Sequence, residues 1–279
     1  MKGLISGIKR MEIHDGDGLR TTVFFKGCPL KCVWCHNPES IGFAPQVARY
    51  ENKCMHCGLC QGAMTAQTAQ NCPTGAQILY GEERQAEELA EELAQDAAFF
   101  RNSGGGVTLS GGECLAQPAF AEELARHLTE KGISVYIDTC GFVSRGVLER
   151  ILPYTEKFLY DLKAIDPQVH EACTGQRNDR ILENLRFLSD RGAAIEIRYP
   201  LVVGYNDQEA AKIGAFLQNM PGITKIKVLQ YHAYAASRYD ALGMENTLPD
   251  TRTEPADVAR AVEVLKSFGL NAVNGITDD

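Results

Sequence analysis

Short β-type runs alternate with helical stretches along most of this chain, and that alternation restricts the fold more than any other feature. The runs are TTVFFKG (21–27), VTLS (107–110), ISVYID (133–138), KFLYDL (157–162), AAIEIRY (193–199) and ITKIKVL (223–229). The stretches between them, 117–131, 143–151, 178–190 and 207–218, read as helices, with a last helix over 255–268 and a short final strand at NAV. RQAEELAEELAQDAAFF (84–100) is amphipathic: Ala86, Leu89, Ala90, Leu93, Ala97 and Phe100 share one face and glutamates fill the other. Strand and helix in strict succession predict an α/β fold with parallel strands. Counting from 21–27 gives six units, fewer than the eight of a closed barrel, so the expected architecture is an open, partial (β/α)6 TIM-type barrel. At 279 residues and 44% apolar, the chain can bury one large core with an insertion. The expected organisation is a barrel built from 1–40 and 81–279, interrupted by a loop-rich insertion over 41–80.

In βα barrels the chemistry sits beyond the C-terminal ends of the strands. Here those ends are uniformly polar. Cys28, Cys32 and Cys35 follow the first strand, and SGGE (Ser110 to Glu113) follows the second. Asp138 and Thr139 end the third, Asp161 to Lys163 the fourth, Arg198 lies late in the fifth, and His232 follows the sixth. A lone strand-end aspartate is commonly a turn or helix cap, and a lone histidine a surface residue. Their coincidence at one end is what points to a cleft.

Ten cysteines are many for a chain with no signal-peptide-like or membrane-length apolar run. A reducing, cytoplasmic setting makes ligands the expected role for the seven between Cys28 and Cys72. Cys114, Cys140 and Cys173 are scattered and read as small buried residues. A net charge of −8 argues against nucleic acid as a partner. GCPLKCVWCHNPES (27–40) places three cysteines on one loop. Zinc fingers pair their cysteines; a compact triplet suits three corners of a [4Fe–4S] cube whose fourth iron stays open for a ligand. Trp34 inside the triplet is placed either to stack on a planar ligand or to pack. KCMHCGLC (53–60) and NCPTGA (71–76) supply Cys54, Cys57, Cys60 and Cys72 in a pattern similar to bacterial ferredoxins. Four ligands make one closed cluster, with zinc as the alternative.

C-x3-C-x-aromatic-C after the first strand, with GGE after the second, resembles the radical S-adenosylmethionine superfamily. HDGDGLRTTVFFKGCPLKCVWCHNPES, NSGGGVTLSGGE, YIDTCGF, YDLKAIDPQVHEACTG, IEIRYPLVVGYND and QYHAY together resemble a glycyl-radical enzyme activating enzyme over nearly the whole chain. The resemblance implies that Cys28, Cys32 and Cys35 hold a [4Fe–4S] cluster whose open iron binds S-adenosylmethionine. Trp34, Cys35 and His36 would lie along its adenosyl part, and Gly111, Gly112 and Glu113 at the methionyl amine. Asp161, Leu162 and Lys163 would hold the ribose and carboxylate end, with His232 near the ribose or adenine and Arg198 a further contact. Asp138, Thr139 and Asp161 would bind a monovalent cation (Na+ or K+). Asp15 would meet the incoming glycine loop, and Asp17, where many relatives carry proline, would add a charge at the docking mouth.

The implied reaction is reductive cleavage of S-adenosylmethionine and removal of a hydrogen from a glycine Cα in a partner glycyl-radical enzyme. Flavodoxin or ferredoxin would donate the electron, and the activator is expected to be a monomer. The second cysteine group, Cys54, Cys57, Cys60 and Cys72, would hold an auxiliary [4Fe–4S] cluster in a ferredoxin-like insertion, where relatives carry a larger insert with two such motifs. The competing readings are a radical enzyme acting on a small molecule and a ferredoxin-like electron carrier without catalysis.

Overall fold

In the computed structural model, which describes residues 1–277, eleven strands form two sheets. They are β1 (Lys2–Glu12), β2 (Arg20–Phe25), β3 (Gln46–Arg49), β4 (Gln77–Tyr80), β5 (Glu82–Gln85), β6 (Gly106–Gly111), β7 (Ser134–Thr139), β8 (Lys157–Asp161), β9 (Ile195–Leu201), β10 (Ile223–Gln230) and β11 (Ala272–Asn274). The large sheet runs β11-β10-β9-β8-β7-β6-β2-β1-β5 and ends in two edges, so the barrel is open. From β2 to β11 neighbouring strands are parallel, and β1 and β5 extend the sheet antiparallel. The six expected strands are present, and NAV is the strand β11.

Strand alternation separates the two faces. Val23, Phe25, Val107, Leu109, Val135, Ile137, Phe158, Ile195, Ile197, Ile226 and Val228 point to the helices and form one continuous core with them. The other face is polar. Register sets Thr22 beside Thr108, Thr108 beside Tyr136, Asp161 beside Arg198, and Arg198 beside Lys227. The functional residues are therefore the half of the alternation that the core does not use.

The strands β1, β3, β4 and β5 were not expected, and three helical features depart from the expectation as well. The helix expected over 84–100 is broken into Ala86–Ala94 and Ala97–Ser103. The cause is Asp96, whose buried carboxylate accepts from the Thr21 hydroxyl at 2.9 Å and pairs with Arg10, tying the chain to β2 and β1. Helix Pro167–Thr174 was not expected, although Asp166 caps its Val169 and Gln168 N–H groups, proline opens it and left-handed Gly175 closes it. Helix Ala236–Leu242 was not expected either.

β3 and β4 pair antiparallel and bracket residues 50–76. Ala48 of β3, with Tyr50 and Tyr80, packs on Ala241 and Leu242 of helix Ala236–Leu242. No helix among the described residues is long and apolar enough to cross a membrane.

Candidate active site

The loop after β2 is closed by its own backbone: Gly27 N–H donates to Ser40 at 2.8 Å and Cys28 N–H to Ile41 at 3.1 Å. Between these anchors the three cysteines turn into a cavity of about 400 Å3. Trp34, His36, Gly111, Gly112, Asp138, Thr139, Asp161, Lys163, Arg198 and His232 line the same cavity. The residues expected from five further strand ends thus meet the cysteine loop.

Burial pushes all three thiols up, Cys35 to about 12. The N–H of Leu30 at Cys28 and that of Asn37 at Cys35 act the other way, favouring thiolate. Three partly buried thiols round one cavity fit a cationic metal centre whose charge would deprotonate them. Lys163, 6% exposed, donates to Asp161 at 2.5 Å. Burial opposes its charge, but the Asp161 carboxylate outweighs it, so the ammonium is held charged.

Gly111 adopts φ +111° and a Cβ there would stand 2.1 Å from Phe25 N; at Gly112 it would meet the Gly27 and Ser40 carbonyls at 2.5 Å. Only glycine lets the β6 end approach the cysteine loop so closely. Glu113, by contrast, is not on the cavity wall. Its carboxylate faces away, accepting from the Thr139 hydroxyl at 2.9 Å and from the N–H groups of Cys140 and Leu115 at 2.8 and 3.0 Å. Leu162 is a core residue, 1% exposed, that meets the site through its backbone N–H on the Arg198 carbonyl.

His36 stacks on His232 with ring centres 4.3 Å apart and donates from Nε2 to the His232 carbonyl at 2.8 Å, a neutral tautomer, since burial with His232 lowers its pKa to about 4. Trp34 is 6% exposed and packs with Cys173, Val202 and Tyr231 while still lining the cavity. Asp138 accepts from Ser110 and lies 3.5 Å from Arg198. Burial raises its pKa, Arg198 opposes that, and Asp161 and Asp15 add to it. The Thr139 hydroxyl is already engaged with Glu113 and Gly141.

Asp15 lies on the floor beside the site, accepting from Thr22 at 2.8 Å and 3.5 Å from Arg198. It lines a second cavity of about 570 Å3 along β1, which shares Ser110, Asp138, Arg198, His36 and His232 with the first. Asp17 is a correction. It does not stand at the cysteine mouth but at the opposite, N-terminal ends of the strands, bonded to Tyr136 and paired with Lys157, so its charge is offset.

Cys54, Cys57, Cys60 and Cys72 line one separate cavity of about 260 Å3. Left-handed His56, Gly58, Gln61 and Gly62 curl the loop that carries three of them. Cys72 is lowered to about 7 by backbone N–H groups, Gln77 first. Glu51, Cys54 and His56 also bring ligand atoms within 4.8 Å of one another, a grouping not foreseen.

An open parallel barrel with a three-cysteine loop at its first strand end defines a class of enzyme, and comparison names that class: residues 22–217 match the radical SAM superfamily. The chain is 39% identical over 268 residues to the trans-4-hydroxy-L-proline dehydratase activating enzyme of Clostridioides difficile, covering 87% of this chain and 88% of the relative. It is 36% identical over 297 residues to the choline trimethylamine-lyase activating enzyme of Oleidesulfovibrio alaskensis, covering 96% of each. A solved domain of pyruvate-formate lyase-activating enzyme from Bacteroides vulgatus superposes with TM-score 0.52 at 26% identity, over 61% of this chain and 99% of that one. This chain belongs to the radical SAM superfamily and, within it, to the glycyl-radical enzyme activating enzymes. Membership implies a [4Fe–4S] cluster and S-adenosylmethionine.

Proposed function

We propose that Cys28, Cys32 and Cys35 hold the [4Fe–4S] cluster, that S-adenosylmethionine occupies the cavity they share with the strand ends, and that a glycine loop of a partner glycyl-radical enzyme reaches it along β1. The observation that carries this reading is the convergence of the three thiols with Lys163, Asp161, Arg198 and the His36–His232 stack on one cavity. When bound and reduced, the cluster would supply the one electron for cleaving the S–C5′ bond of S-adenosylmethionine, with methionine released and the glycine Cα hydrogen ending on 5′-deoxyadenosine.

The chain's own residues bind and orient. Lys163 holds a carboxylate, and Asp161 fixes Lys163 and the ribose end. Gly111 and Gly112 let backbone approach the methionyl amine, while Glu113, behind the wall, fixes Thr139 and Cys140. Neutral His36, stacked on His232, lies along the adenosyl part with Trp34. Asp15 faces the partner's loop from the floor of the β1 groove. A monovalent cation at Asp138, Thr139 and Asp161 is part of the reading. The mutual repulsion of the two carboxylates supports it, while Arg198 already meets part of that charge.

Residues 41–80 are proposed as a ferredoxin-like insertion with an auxiliary [4Fe–4S] cluster on Cys54, Cys57, Cys60 and Cys72. Flavodoxin or ferredoxin would supply electrons to a monomer in the cytoplasm, a setting supported by ten unpaired cysteines. Anaerobic reconstitution is expected to load about eight irons per chain, from two cubanes. About four would remove the auxiliary cluster. The activity test is chromatographic: reduced protein with S-adenosylmethionine should form 5′-deoxyadenosine. None from a fully loaded sample would favour the electron carrier.

A further inference from the structure

Two helices grip the three-cysteine loop from outside. On one side helix Pro167–Thr174 ends against it, and the N–H groups of Lys31 and Val33 donate to the Thr174 and Cys173 carbonyls, both at 2.9 Å. On the other side stands helix Ala236–Leu242. The Tyr239 hydroxyl donates to the Cys35 carbonyl at 3.1 Å. Arg238 Nη1 reaches the His36 carbonyl, Asn37 Oδ1 and Glu39 Oε1, each at 3.0 Å. Tyr239 is 1% exposed, so water has little access to replace its hydroxyl. Glu39 is buried and its Oε2 has no hydrogen-bond partner, which makes the guanidinium on Oε1 the more costly to lose.

These contacts bear on the cysteine itself. The Cys35 and His36 carbonyls belong to the peptide units on either side of His36, so holding them fixes the backbone that carries the Cys35 thiol. Donors to ligand sulfurs set the potential of an iron–sulfur cluster, and groups that orient ligands from behind are worth about 10- to 100-fold in metal affinity or activity. One turn further along the same helix, Ala241 and Leu242 pack on Ala48 of β3, beside Tyr50 and Tyr80. A helix of seven residues does not hold itself in place; what it packs on decides where Arg238 and Tyr239 stand.

We infer that Arg238 and Tyr239 are positioning residues for the three-cysteine loop, and that the 41–80 segment sets them through helix Ala236–Leu242. The segment is then a mechanical buttress of the open coordination position, whatever it does with electrons. The inference rests on the reading that this loop holds the cluster.

The test uses the full chain, anaerobically reconstituted, with two readouts. One is the KM for S-adenosylmethionine in 5′-deoxyadenosine formation. The other is the midpoint potential of the paramagnetic signal that changes when S-adenosylmethionine is added. Tyr239→Phe keeps the ring and removes one donor. It should raise KM about three- to tenfold and make the midpoint more negative, with an unchanged far-ultraviolet dichroism spectrum. Arg238→Gln should cost about 10- to 100-fold, and Arg238→Lys should recover part of that. Leu242→Ala, on the insert side, should move both readouts the same way by less. If Tyr239→Phe folds and stays within about twofold of wild type in KM with the same midpoint, the positioning role is wrong. If Leu242→Ala alone leaves both unchanged, the buttress is wrong. A loaded wild type that never cleaves S-adenosylmethionine would remove the reading of the loop, and this inference with it.

Discussion

Replacing any one of Cys28, Cys32 or Cys35 by alanine is expected to reduce 5′-deoxyadenosine formation to the level of a protein-free control. The expectation follows from ligand number. A cubane bound by three thiolates keeps one iron open for the cosubstrate, whereas with two thiolates a second iron loses its protein ligand and the cluster its anchorage. The loop offers no substitute on its own span. Cys140 lines the same cavity but belongs to the end of β7, with its N–H committed to Glu113. Iron should fall from about eight to about four per chain, the remainder being the auxiliary cluster, so metal analysis and activity give independent readings. Retained cleavage in all three variants would show that the loop is not the catalytic centre.

Arg198→Leu is expected to lower stability by about 3–5 kcal/mol, because it strips the cation from buried carboxylates. Arg198 is 8% exposed and lies 3.5 Å from both Asp15 and Asp138, and 4.0 Å from Glu196. Glu196 keeps Lys227 at 4.0 Å, whereas Asp138 keeps only the Ser110 hydroxyl and the repulsion of Asp161 and Asp15. For a chain of this size the loss corresponds to a fall in Tm of about 10 °C. The defect should depend on pH. Burial already raises Asp138 above its ordinary range, with Arg198 pulling the other way. A carboxyl raised in the folded state contributes stability that is full below its unfolded pKa near ~3.9 and lost as pH rises through the folded value. Removing Arg198 raises that value further. The Tm deficit should therefore be largest near pH 8 and shrink toward pH 5. A deficit that grew on acidification would contradict the assigned charge balance.

What was legible in the sequence was whatever a period or a spacing encodes. The strands β2, β6, β7, β8, β9 and β10 are near-continuous β-type runs, and the polar groups at their ends fall on the face the core leaves free; β3, β4 and β5 lie in stretches that carry no such run. β1 was not legible. Gly3, Ser6, Gly7, Lys9 and Arg10 break any alternation, and beyond Ile5, where its pairing with β5 ends, the strand has one open side. Gly3 has a reason visible only in three dimensions: a Cβ there would stand 2.1 Å from the Phe120 ring. The break at Asp96 was hidden for the same cause, because its partners Thr21 and Arg10 are remote in sequence. Helix Ala236–Leu242 lies in a stretch with no strong amphipathic pattern, yet it supplies the Arg238 and Tyr239 contacts to the cysteine loop. Glu113 shows the converse. Its place in GGE identified the region, while the fold turns its carboxylate to Thr139 and Cys140 behind the wall.

The most direct test of the central claim is electron paramagnetic resonance on an anaerobic extract of the source organism, supplemented with the reduced protein and S-adenosylmethionine. The account predicts a glycyl-radical doublet on a partner protein that can then be isolated. 5′-Deoxyadenosine without a doublet, from an extract shown to contain a glycyl-radical enzyme, would contradict it in favour of a small-molecule substrate. Neither signal, from protein with intact clusters, would contradict it in favour of an electron carrier.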